Sequence, residues 1–195
     1  MKMSKMSVKI PTTGRLGSLA RTISEVSGED VLNEVFQDYK PSLKGKEQSE
    51  WVLNMIKKLE KNIGTESTIK IIEIDGRKSC GNGFKNTVRK LKAKSNTIKE
   101  FVDNLGNHYK RSSFFQFIDD NTIVGGHNKC YMMIKSAPKP IDSKIFCHFC
   151  VGHGKEFYET ALQKPLDVEI IETVMTGGAT CKFIIKIKKE EQHDI

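Results

Sequence analysis

In the first half of the chain, apolar residues recur at helical spacing. Trp51, Val52, Met55, Ile56 and Leu59 form one stripe, and Lys57, Lys58, Glu60 and Lys61 cover the opposite face, which predicts a helix from Glu47 that Gly64 stops. Upstream, Pro11-Thr-Thr-Gly14 and Gly17 break regularity. Glu29-Asp30 can then cap a helix to about Tyr39, with Val31, Leu32, Val35 and Phe36 on one face. Ile69, Ile71, Ile72 and Ile74 suit either strand or helix, since isoleucine favours strands. Ser67 and Thr68 as caps, and Gly76 as a stop, favour the helix. Cys80-Gly-Asn-Gly83 reads as a flexible turn, followed by helices over Phe84–Leu91 and Thr97–Leu105.

After Tyr109 the pattern turns strand-like. Phe114–Ile118 and Ile123-Val124 flank Asp119-Asp-Asn121 and predict a hairpin. Cys130–Ile134 reads as a further apolar strand ended by Pro138-Lys-Pro140. A helix follows over Val151–Gln163, with Phe157, Tyr158, Ala161 and Leu162 facing inward. Strands Asp167–Met175 and Thr180–Lys188 close the chain around Thr176-Gly-Gly178. In the last, Cys181, Phe183, Ile185 and Ile187 alternate with Lys182, Ile184 and Lys186, as in a sheet with one buried face. Helices first and strands later, without βαβ alternation, predict an α+β fold: N-terminal helices, then an antiparallel sheet with a helix packed on it. Residues 1–45 read as an N-terminal arm, 46–110 as a helical part and 111–190 as an α+β module, with 46–190 forming one domain. An arm with one short amphipathic helix is marginal alone. It is expected to pack on the main domain or on a second subunit, which makes a homodimer a candidate.

Composition narrows the classes. With 37% hydrophobic and 29% charged residues, the 195-residue chain suits a globular protein with one core, not a disordered one. No run approaches the roughly 20 apolar residues of a membrane span. The basic start, Met1 to Ile10, leads into no apolar run of signal-peptide type, so a cytoplasmic location and no membrane partner are expected. The net charge of +8 raises nucleic acid as a partner, but lysine supplies most of it and acids are interleaved. The densest basic stretch, Lys85 to Lys99, reads as a solvated helix face, so no nucleic-acid partner is expected.

The candidate chemistry lies in five cysteines, an odd number that argues against a disulfide framework. Cys147-His-Phe-Cys150 has the spacing of a metal-binding or redox pair. Closing a tetrahedral zinc or iron site would take Cys80 and Cys130 as partners, with His148 and His127 behind them. Cys150 precedes a helix whose N-terminus would lower its thiol pKa. His153, three residues on, is then the candidate base of a Cys150–His153 catalytic pair. The competing reading packs Cys147 and Phe149 in the core and leaves His148 and His153 as surface or capping residues. Cys181 reads as core packing, and Cys130 equally as core or pocket lining.

Phe146-Cys-His-Phe-Cys-Val-Gly-His-Gly-Lys-Glu-Phe-Tyr158, Pro165-Leu-Asp-Val-Glu-Ile-Ile-Glu172 and Thr176-Gly-Gly-Ala-Thr-Cys-Lys-Phe183 together resemble the 4-vinyl-reductase-like domain over roughly Phe114 to Lys188. From about Trp51 the chain is also similar to uncharacterised bacterial and archaeal proteins related to that domain, some labelled aminothiazoline-carboxylate hydrolase-like. The shared features are Asp75-Gly-Arg77, Lys129-Cys-Tyr131 and the Cys147/Cys150 pair. Asp75 stands where that group has its first cysteine, and Cys80 lies slightly further on.

The resemblance implies a sheet packed on helices around a mostly apolar pocket, in a sensor or accessory module for small hydrophobic molecules. The leading expectation is therefore a small organic ligand lined by Met132, Met133, Phe146, Phe149, Phe157, Tyr158 and Met175. The alternatives are a hydrolase of a small heterocycle or amide, working through a thiolate or a thiolate-bound metal, and a structural accessory protein.

Overall fold

Glycine places the first break. Helix α1 (Gly14–Phe36) is interrupted at Gly28, whose φ of 86° and ψ of 167° lie where side chains other than glycine are strained. The computed structural model describes residues 9–188, so the basic stretch 1–8 lies outside the described residues. Gly17 does not interrupt α1, contrary to the break expected there. Lacking a Cβ, it lets the helix pass the backbone of Thr12, whose carbonyl carbon would sit 2.5 Å from such an atom. Leu16, Leu19, Ala20 and Ile23 are buried, so α1 forms part of the helical core well before Glu29.

Helix α2 (Gly45–Ile63) buries Val52, Met55, Ile56 and Leu59, and Gly64 with φ 82° ends it. Helix α3 (Thr65–Ser79) runs through Gly76 rather than stopping there. Helices α4 (Asn82–Ala93) and α5 (Ile98–Tyr109) follow; Thr97 caps α5 by accepting from the Glu100 amide at 3.1 Å. The hairpin β1 (Ser113–Asp119) and β2 (Thr122–His127) turns at Asp119, which accepts from the Asn121 amide.

Cys130–Ile134 is a turn, not a strand. Lys135 and Ala137 donate backbone bonds to Met132 and Ile134, and Ser49 of α2 donates to the Met133 carbonyl at 2.7 Å. Ile134 drops into the helical core, so no alternation is left to make a sheet face. Helix α6 (His148–Leu162) starts one residue after Cys147, which lies in a short 3-10 turn. Strand β3 (Leu166–Glu172) ends before Met175, because Thr173 caps a second 3-10 turn over Val174–Thr176. Strand β4 (Cys181–Ile187) completes an antiparallel sheet of order β1-β2-β4-β3, so the fold is α+β.

Two apolar clusters fill the interior. One lies among α1, α2 and α3 and takes in Ile134, Phe146, Cys147, Phe149 and Met175. The other lies between α4, α5, α6 and the inner sheet face of Ile123, Val168, Cys181, Phe183 and Ile185. Helices α3 and α6 cross at the seam, backbone against backbone. A Cβ on Gly76 would lie 2.2 Å from the Phe149 carbonyl oxygen, and one on Gly152 would lie 1.9 Å from that of Glu73. Charged groups stitch the crossing. Glu73 accepts from His148 Nδ1 at 2.9 Å and Lys155 at 3.0 Å. Arg77 bonds Glu159 at 2.6 Å and Glu156 at 3.2 Å, and Lys85 of α4 also reaches Glu156 at 2.5 Å. Burial alone would raise the Glu73 pKa, but the bonds from His148 and Lys155 outweigh it and hold the carboxyl below its usual range.

Candidate functional site

A cavity of about 310 Å³ opens where the two clusters meet. One wall is α6. Phe149, His153 and Phe157 recur every fourth residue along one row and Cys150, Gly154 and Tyr158 along the next, so two adjacent rows of one helix line it. The inner sheet face supplies Phe115, Gly125, His127, Val168, Phe183 and Ile185. Gly125 leaves space for the Tyr158 hydroxyl, which would lie 3.1 Å from a Cβ there. Ser79, Phe84 and Tyr109 form a third side; Arg15, Tyr131 and Met132 complete the lining. Arg15, Phe84 and Tyr131 are also exposed to solvent, which places them at the rim.

The lining holds one cation, two imidazoles and no carboxylate. The guanidinium of Arg15 lies 5.9 Å from the Phe149 ring centre and bonds the Met132 sulfur at 3.4 Å. His153 is fixed on both sides. Its ring packs edge-on against Phe84 at 5.1 Å, and its Nδ1 lies 3.1 Å from Ser79 Oγ. Ser79 spends its only proton on the Gly76 carbonyl at 2.6 Å, so its oxygen accepts from Nδ1–H. Burial holds the His153 pKa down at about 4, with nearby His127 and Arg15 adding to the effect. The imidazole is therefore neutral, with the proton on Nδ1 and a bare lone pair on Nε2. Among the described residues nothing bonds that Nε2, and no buried polar side-chain atom is left unpaired, so it opens onto the cavity. His127 is also held neutral by burial, and its Nδ1 lies 3.0 Å from Ser113 Oγ.

Cys80 stands apart, while Cys130, Cys147, Cys150 and Cys181 lie near enough to feel one another's charge. Cys147 packs in the helical cluster beside Thr173, with burial raising its pKa to about 11, and Cys150 packs on the sheet side. The Cys150 thiol is pushed up strongly by burial, against the lowering expected from the helix N-terminus, because its accessible surface faces the cavity rather than bulk water. No hydrogen bond joins Cys150 to His153. Cys80 sits under α4 with its pKa raised to about 11, and Cys130 lies half-buried in the 130–134 turn. Among the described residues no three His, Cys, Asp or Glu side chains converge to hold a metal ion, so the set Cys80, Cys130, Cys147 and Cys150 forms no zinc cage. His148, expected to face water, is bonded to Glu73.

Of the residues expected to line a pocket, Met132, Phe149, Phe157 and Tyr158 do line this cavity, beside Cys150 and His153. Met175 is fully buried in the helical cluster and Met133 packs against it. Phe146 stacks on Phe149 and lines a separate groove beside α2. Arg15, Ser79, Phe84, Tyr109 and Phe115 were not singled out by the sequence. Each comes from a different element, and only the tertiary fold gathers them.

Similar solved structures are H-NOX proteins. A variant from K. algicida in the Fe(II) unliganded state is 12% identical, covers 91% of this chain and 96% of its own, and gives a TM-score of 0.52. An S. oneidensis protein in the Fe(II)NO state is 14% identical, with coverages of 90% and 98% and a TM-score of 0.51. A variant H-NOX domain from Shewanella oneidensis in the Fe(II)CO state is 12% identical, with coverages of 90% and 98% and a TM-score of 0.52. At these identities the likeness is one of fold, and it stands where a 4-vinyl-reductase-like domain was expected. No curated protein matches the chain. One family model spans residues 17–193, and by that match the chain belongs to DUF6144, a family of unknown function.

Proposed function

We propose that this domain binds a small, largely apolar organic molecule in the cavity between α6 and the sheet and serves as a sensor or accessory module. The observation that carries the reading is the neutral, serine-anchored His153, whose open Nε2 faces an aromatic-lined space. A few fixed polar groups in an apolar hollow of this size are the usual make-up of a ligand site. The fold shared with gas-ligated H-NOX proteins points to the same class of role.

The Fe(II) states of the similar H-NOX proteins bring an iron cofactor such as haem into consideration. Imidazole suits iron, and His153 presents the right atom. The space does not suit a porphyrin: 310 Å³ is at the small end of ligand cavities, and one rim cation, Arg15, faces what would be two carboxylates. The residues present therefore do not fit haem. Nor does any observation favour the thiolate hydrolase, because burial keeps the Cys150 thiol protonated and no hydrogen bond joins it to His153.

The test is binding of N-phenyl-1-naphthylamine, a neutral apolar fluorophore, followed by its emission. Wild type is expected to bind it near one per chain. Gly154→Leu is expected to fold and to exclude it, because a Cβ at Gly154 meets Val168 only at ordinary distance while the longer side chain fills the cavity. Equal binding by both proteins would sink the reading.

A further inference from the structure

We infer that the ligand is a small aromatic acid whose ring carries a hydrogen-bond donor, its carboxylate set at Arg15 and its donor at His153 Nε2. The inference rests on the cavity being a ligand site and adds the chemistry of its occupant.

Polarity along the cavity is graded. Arg15 is the lining's one full charge, and no carboxylate in the lining pairs with it; it contacts a thioether sulfur and the Phe149 ring. A thioether is a weak acceptor, and a ligand carboxylate would replace it with a charge-assisted bond. Asp75 of α3 feels Arg15 through space, but it is buried outside the lining, shares its field with Lys78 and Arg21, and accepts from Ser18 at 2.5 Å. A carboxylate paired with Arg15 inside the cavity would therefore come with the ligand.

At the inner end the demand reverses. Ser79 gives its proton to the Gly76 carbonyl, which leaves His153 protonated on Nδ1 and a pure acceptor on Nε2. An apolar group there would bury a lone pair unpaired, and an anion would be repelled by it. An O–H or N–H satisfies it. Phe149, beneath Arg15, and His153 are four residues apart on α6, about 6 Å along the axis. Phe115, Phe157 and Phe183 supply the apolar and aromatic surface the ligand's ring packs on.

The experiment is calorimetric titration with three probes of nearly equal size: 4-hydroxybenzoate, its neutral isostere 4-hydroxybenzamide, and benzoate, which lacks the hydroxyl. Wild type is expected to bind 4-hydroxybenzoate about tenfold more tightly than either of the others, the usual worth of one such bond. Arg15→Gln is expected to erase the preference for acid over amide and keep that for the hydroxyl. His153→Phe is expected to do the reverse. Arg15 is exposed, so its replacement leaves the fold intact. Equal affinity of wild type for acid and amide, or an acid preference that survives Arg15→Gln, overturns the inference. If the neutral fluorophore still binds in that case, the site stands and only the ligand class falls. If the fluorophore is excluded too, both fall.

Discussion

At the scale of single residues, the lack of a side chain at Gly76 and Gly152 matters as much as any side chain present. Gly152→Ala would drive a methyl into the Glu73 carbonyl, which is backbone and cannot swing aside, so the helices must separate. A loss of about 3 kcal/mol is expected in urea unfolding. Gly154→Ala, one turn position away with room for its Cβ, should be neutral or stabilising by up to about 1 kcal/mol. His153 gives a pH signature. Its folded pKa near 4 lies below the ordinary histidine value, so the unfolded chain binds more protons between the two, and stability falls as pH drops through that window. Between pH 7 and 5 the loss from this residue is at most about 2 kcal/mol, and His153→Phe should flatten the slope of urea midpoints by that amount. His127 acts in the same direction. The lowered carboxyls of Glu73 and Glu156 lose their stabilising effect only below the ordinary glutamate pKa, outside this window. Residue type alone singled out Cys150 and His153. It did not show which way the Ser79 proton points, and that proton fixes what His153 can bind.

At the scale of elements, periodicity was a good guide wherever a segment has one wet face. The α2 stripe and the alternation in β4 are examples, and both lie where expected. It misled where burial is all round or glycine acts by closeness. Gly17 and Gly76 read as breaks, yet they sit inside helices because another backbone presses on them. Cys130–Ile134 has strand composition, but Ser49 and the nearby prolines hold it as a turn. The ion pairs across α3, α4 and α6 were likewise invisible, their members lying up to 82 residues apart. A double-mutant cycle on Arg77→Gln and Glu159→Gln should give a coupling of about 1 kcal/mol, since both partners are half-buried and the contact is two-pronged. No measurable coupling would mean that apolar packing alone holds the crossing.

At the scale of the whole molecule, the cavity could not be read from sequence, because its lining is drawn from α1, α3, α4, α5, α6 and the sheet. Fold class was legible; a hollow between two apolar clusters was not, since the same side chains can close on one another. No described helix is long and apolar enough to cross a membrane. The purified chain is expected to lack a Soret band, and titrated hemin should produce no saturable one; a stoichiometric band lost in His153→Phe would reverse the judgement on haem. The α3–α6 crossing has a mechanical consequence. With carbonyl oxygens packed directly on glycine Cα atoms there is no layer of side chains to shear or repack, so the two helices behave as one stiff beam. A ligand bound beside α6 would press on that beam on one side and on the sheet and the 131–132 turn on the other. Displacement would then fall on the side of the cavity that carries side chains free to repack, the sheet and the 131–132 turn.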